Sequence, residues 1–126
     1  MQRMVRITTE SIVMDAELNE SFTASQIWEA LPITSLGNTW GDEIYFSIPV
    51  DAELENEQDI VEIGDIAYWP PGKAFCIFFG PTPISRENEI RPASAVNVVG
   101  KLLGDATIFK KVKNEENVTL EKIDRR

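Results

Sequence analysis

The chain contains no histidine and a single cysteine, Cys76, in 126 residues. The absence of histidine removes Ser-His-Asp chemistry and most zinc chemistry, both of which need an imidazole. One cysteine cannot form an internal disulfide. Within the run Ala74-Phe75-Cys76-Ile77-Phe78-Phe79 it reads as a small apolar core residue, since no histidine exists to act as the base of a thiolate nucleophile. Basic residues are also scarce, 12 against 21 acidic, giving a net charge of −9. They are scattered, with only a small group near the C-terminus, whereas a phosphate-binding surface needs clustered Lys and Arg, so nucleic acid is not an expected partner. No apolar run approaches membrane-spanning length, and the first ten residues are charged and alternating, without a signal-peptide core. The expected compartment is the cytoplasm, with no membrane partner. Asp and Glu alone can hold Mg²⁺ or Ca²⁺, but no EF-hand spacing occurs, and the acidic run Asp51, Glu53, Glu55, Glu57 reads as solvated surface. No metal and no cofactor is expected.

What is present fits one globular domain over residues 1–126, with hydrophobic residues at 43% and charged residues at 26%. No repeat, low-complexity stretch or linker interrupts it. Val5 and Ile7, then Ile12 and Met14, alternate on either side of Glu10-Ser11 and predict a hairpin. Candidate N-caps at residues 19–21 precede Ile27, Ala30 and Leu31 at helical spacing, and Pro32 ends this short helix. Gly41-Asp42 turns the chain into a strand over residues 44–48, which Pro49 stops. Residues 51–59 read as a surface loop, and strand character resumes over residues 61–69 with a break at Gly64.

Pro70-Pro71-Gly72-Lys73 is a turn, after which the uniformly apolar residues 74–79 predict a fully buried strand. A polar loop over residues 85–92 leads to a buried strand over residues 94–103. Asp105 caps a short helix over residues 106–111, and residues 118–123 form a last alternating strand. Seven or eight strands and two short helices suit a closed all-β architecture.

Two segments carry a family resemblance. Residues 98–112, with Val98-Val99-Gly100-Lys101 and the helix after Asp105, are similar to the cyclophilin stretch in which a strand ends in Phe-Gly-Lys-Val before a short helix. Gly64-Asp65-Ile66-Ala67-Tyr68-Trp69, the turn, and residues 74–79 follow the order of the cyclophilin glycine-led strand, turn and Gln-Phe-Phe-Ile strand. Closer still, Asn38-Thr39-Trp40-Gly41, Tyr68-Trp69-Pro70-Pro71-Gly72-Lys73 and Phe78-Phe79-Gly80-Pro81-Thr82-Pro83 resemble a group of small cyclophilin-like proteins of archaea and thermophilic bacteria. This resemblance covers most of the chain. It implies a mainly β fold, a closed eight-stranded antiparallel barrel with two short capping helices.

Cyclophilins rotate a prolyl amide, whose barrier of about 20 kcal/mol comes from amide resonance. An arginine in a Phe-His-Arg-Ile-Ile-Pro stretch donates to the proline nitrogen. The corresponding stretch here is Phe46-Ser47-Ile48-Pro49, with neither arginine nor histidine, and a serine hydroxyl does not replace a cationic fork. The later pocket histidine is also missing, and Asn97 is the nearest polar residue; Arg86 and Arg91 are the arginines that could enter from another element. No catalytic residue is therefore expected. If Ile44, Phe46 and Ile48 face inward, then Glu43, Tyr45 and Ser47 face outward, where the cyclophilin groove lies. Glu43, Tyr45, Tyr68, Trp69 and Asn97 are the expected lining of a groove for a peptide or small molecule. Three readings follow: a non-catalytic binding module; an enzyme, either a prolyl isomerase with a rearranged site or one using Glu43 as acid or base; and a homo-oligomeric structural protein.

Overall fold

A computed structural model describes residues 3–123. The hairpin of β1 (Arg3–Thr8) and β2 (Val13–Leu18) forms where alternation predicts it, and Thr9 shapes its turn by accepting from the Ser11 and Ile12 amides at 3.1 and 3.0 Å. Helix α1 (Phe22–Ala30) starts at Ser21, whose side chain accepts from the Ala24 amide, and its Ala24 and Ile27 reach the core. The remaining strands are β3 (Ile33–Leu36), β4 (Asn38–Thr39), β5 (Glu43–Ser47), β6 (Asp65–Trp69), β7 (Ala74–Phe78), β8 (Asn97–Leu102) and β9 (Asn117–Lys122).

These nine strands make one antiparallel sheet in the order β3-β9-β1-β2-β8-β6-β7-β5-β4, where eight were expected. The extra strand comes from a division of one segment. β3 pairs with β9 and β4 with β5, and only Gly37 separates them in the chain. The Gly37 amide donates to the Glu116 carbonyl at 2.8 Å, so the segment 33–39 leaves one partner and joins the other, bringing the two ends of the sheet together. The sequence reading had not assigned β3, whose four residues show no clean alternation. It also began β6 and β8 three or four residues too early. Val61 makes only an isolated bridge to Ile90, and Gly64 (φ +92°) delays the ladder until Asp65.

Inward-facing residues alternate along six strands, Val5 and Ile7, Ala16 and Leu18, Ile44 and Phe46, Ile66 and Tyr68, Phe75 and Ile77, Val118 and Leu120, whereas β8, whose pairing with β6 shifts register, places Val99 and Leu102 in the core. The second short helix is a 3-10 helix (Ala106–Lys111) capped by Asp105, and its Phe109 stacks on Phe79 with ring centroids 5.9 Å apart.

β7 is buried on both faces, as its unbroken apolar run predicts. Phe75 and Ile77 belong to the barrel interior, whereas Ala74, Cys76 and Phe78 join a second apolar cluster outside it with Val61, Ala67, Ile90 and Val96. That cluster is covered by two chain segments tied to one another: Gln58 and Val96 exchange backbone bonds of 2.8 and 3.0 Å, and the Val61 amide donates to Ile90.

β8 crosses the sheet at Gly100 under tight constraint. A methyl there would lie 2.2 Å from the Glu17 carbonyl oxygen and 3.0 Å from the Leu18 Cα, both backbone atoms of β2. Gly100→Ala is expected to cost on the order of 3 kcal/mol, the upper range for overpacking. Urea unfolding checks this: the midpoint should fall with the slope unchanged. A midpoint equal to that of the parent chain would contradict the register given for β2 and β8.

Candidate functional site

The site lies on the outer face of β5, β6 and β7, at the margin of the second cluster. Its first wall is a hairpin. Gly41 (φ +59°) and Asp42 form a two-residue turn in which Trp40 and Glu43 exchange backbone bonds of 2.9 and 3.2 Å. Residues paired in this way project to the same face, so Trp40 and Glu43 stand side by side, and Tyr45 follows two residues on. The ladder places Tyr45 opposite Cys76 and Trp69 opposite Ala74. Trp69 is fixed by its indole N–H, which donates to Ser94 Oγ at 2.7 Å.

Between these groups is a cavity of ≈ 300 Å³, lined by Trp40, Glu43, Tyr45, Trp69 and Cys76 and roofed by Pro92, Ala93 and Val96 of the covering segment. Its walls are mostly apolar and aromatic. Glu43 is the only ionised-type side chain among them, and no lysine or arginine lines it.

Glu43 is 5% exposed, and its Oε1 is buried without a hydrogen-bond partner among the described residues. Burial pushes its pKa up to about 7, against a smaller opposing effect of the neighbouring Cys76 thiol. The thiol itself is pushed well above its ordinary value, first by burial and then by Glu43, so it stays protonated; it also reaches the Ala74 carbonyl at 3.9 Å. Cys76 is thus a buried apolar residue, as its sequence context suggests, but it belongs to the outer cluster and lines the cavity rather than the barrel interior.

Glu43, Tyr45 and Trp69 are brought together at this cavity. Tyr68 and Asn97 are not. Tyr68 alternates with Trp69 and points into the barrel, 0% exposed, where its hydroxyl donates to the Val50 carbonyl at 2.6 Å and accepts from the Ala52 amide at 3.2 Å. Asn97, 1% exposed, ties the acidic loop to α1: it accepts from the Glu55 amide and donates to the Glu53 carbonyl and Thr23 Oγ1. Glu55 in turn accepts from the Phe22 and Thr23 amides, which hold its carboxyl below the usual range. That residue of the acidic run is therefore a helix cap.

The groups considered for isomerisation lie elsewhere. Ser47 donates to the Gly72 carbonyl at 3.3 Å, and Arg91 is engaged by Glu89 at 2.8 Å. Neither Arg86 nor Arg91 lines the cavity. Trp40, the roof residues and the site role of Cys76 escaped the sequence reading. The Gly41-Asp42 turn signal could have placed Trp40 across from Glu43, but nothing local marks Pro92 or Ala93.

The fold is mainly β, a nearly closed antiparallel barrel with few helices. The model of the cyclophilin-like family matches residues 3–121, and the chain belongs to that family. Among solved structures it is similar to the solution structure of the hypothetical protein AF2241 from Archaeoglobus fulgidus. The identity is 48%, over 97% of this chain and 95% of the other, with a TM-score of 0.83. The chain matches no curated protein. Among the described residues, no helix is long and apolar enough to cross a membrane.

The buried carboxyl has a measurable consequence for folding. Its pKa is higher in the folded chain than in the unfolded one, so between about 4.5 and about 7 the folded state binds more protons. Stability contributed by this group is therefore complete below that window and lost as pH rises through it, by roughly 3 kcal/mol in all. Glu43→Gln is expected to flatten the pH dependence of stability over this range and to be the more stable chain at pH 8. Urea titrations of both chains from pH 4 to 8 test it; parallel curves would contradict the burial of an ionisable Glu43.

Proposed function

We propose that the protein is a non-catalytic binding module of the cytoplasm whose outer-face cavity takes a small molecule or a side chain presented by a peptide. The observation that carries this reading is the pairing of an aromatic-walled cavity of ≈ 300 Å³ with one buried carboxyl oxygen that has no partner. Such a cavity has the size and lining of a small-ligand site, with apolar walls to supply contact area and one polar atom to fix orientation. An unpaired buried acceptor is costly in the empty protein and is satisfied when a ligand donates to it.

The isomerase reading is weaker for a chemical reason. Lowering a barrier of about 20 kcal/mol needs a donor aimed at the proline nitrogen as amide resonance is lost. The cavity offers a carboxyl and no lysine or arginine, and Ser47, in the stretch that resembles the cyclophilin arginine motif, donates to the Gly72 carbonyl.

Two measurements test the proposal. In a protease-coupled assay with an Ala-Ala-Pro-Phe anilide, the protein at micromolar concentration is expected to leave the cis–trans rate unchanged. In a fragment screen read by the indole N–H resonances, Trp40 and Trp69 should shift with binders while Trp28, which lies under Lys122 and does not line the cavity, should not. Trp69→Ala should weaken those binders at least tenfold. Clear rate acceleration, or fragments that shift only Trp28, would overturn the reading.

A further inference from the structure

We propose that the group this cavity accepts is an organic ammonium cation, seated on Glu43 and enclosed by Trp40, Tyr45 and Trp69. The inference rests on reading the cavity as a binding site and goes on to name its ligand chemistry. Three kinds of ligand could fill an apolar cavity of this size, and the lining separates them. An anion would meet the Glu43 carboxyl, no basic side chain, and a chain of net charge −9. A neutral apolar group would fit the rings but leave Oε1 buried and unpaired. An alkylammonium group uses both features: it is attracted to the electron-rich faces of tryptophan and tyrosine, and it supplies the counter-charge the carboxyl lacks.

Among the described residues, no lysine or arginine lines the cavity beside Glu43. From β7 it faces the Cys76 thiol, from its own strand Tyr45, and across the hairpin Trp40; the covering segment presents Pro92, Ala93 and Val96. Asp42, next to Glu43 in the turn, does not line the cavity, and Arg91, next to the roof residue Pro92, is paired with Glu89 at 2.8 Å. Among the lining residues an incoming ammonium would therefore meet one carboxyl and no rival cation.

Binding of a cation draws Glu43 into its ionised form, so ligand and proton compete. With the empty site titrating near about 7, affinity should be constant above that pH and fall below it, by roughly tenfold per unit. The sign is distinctive, because a neutral ligand that accepts Glu43's proton in a hydrogen bond would bind better in acid.

Calorimetry on the full chain tests this with choline, with its neutral isostere 3,3-dimethylbutan-1-ol, with n-butylammonium and with a capped lysine-containing peptide. At pH 8 at least one ammonium probe is expected to bind tenfold or more tightly than the alcohol, and to lose at least tenfold in affinity between pH 7.5 and 5.5. Tighter binding of the peptide would identify a protein lysine as the source of the cation, and tighter binding of choline or butylammonium a free metabolite; either supports the proposal. Glu43→Gln, checked by thermal unfolding, should erase the preference for cation over alcohol. Should that variant not fold, the pH dependence of the parent chain decides alone. Equal or tighter binding of the alcohol overturns the ammonium assignment and leaves the cavity a binding site. Failure of every probe also overturns it, and the fragment screen at Trp40 and Trp69 then settles separately whether the cavity binds anything.

Discussion

The structure turns on the two-sided burial of β7. A strand whose alternate residues all face apolar neighbours needs cover on both sides, and the barrel interior supplies only one. The second layer, made where Gln58 pairs with Val96 and Val61 with Ile90, lies over Cys76 and Phe78 and removes water from that part of the outer face. Everything distinctive about the site follows from this cover. It desolvates Glu43, keeps the Cys76 thiol protonated, and turns Tyr45 and Trp69 from surface aromatics into cavity walls.

Much of this was legible from local pattern. The first hairpin, the helix stopped by Pro32, the turn at Gly41-Asp42 and the Asp105 cap all rest on short-range chemistry that tertiary packing did not override. The uniform apolarity of residues 74–79 announced a strand covered on both faces, although it could not say what covered it. Other features depended on distant partners. Tyr68 carries a polar handle beside the Pro-Pro-Gly turn and Asn97 is the polar residue nearest the missing pocket histidine, but alternation in β6 sends Tyr68 inward, and Asn97 is consumed by backbone groups of a loop more than forty residues earlier. The acidic run looked solvated because nothing in its own composition shows that the Glu55 carboxylate caps α1. The division of one strand at Gly37 was invisible for the same reason: it reflects a change of partner, from β9 to β5, and not a change in residue type.

Membership of the cyclophilin-like family fixes the barrel and leaves the chemistry open, since function resides in the site rather than the fold. The outer-face cavity of this chain presents a carboxyl among aromatic rings and no lysine or arginine in its lining. An acceptor in an apolar cage suits a donor, and best of all a charged one.

The account depends most directly on the protonation state of one side chain. A ¹³C NMR titration of the Glu43 carboxyl in the ligand-free protein measures it. An inflection at about 7 is the result that a desolvated carboxyl with one unpartnered oxygen predicts. An inflection near 4.5, the ordinary value, would mean that water or a cation already reaches the group, and the apolar cavity described here would not exist.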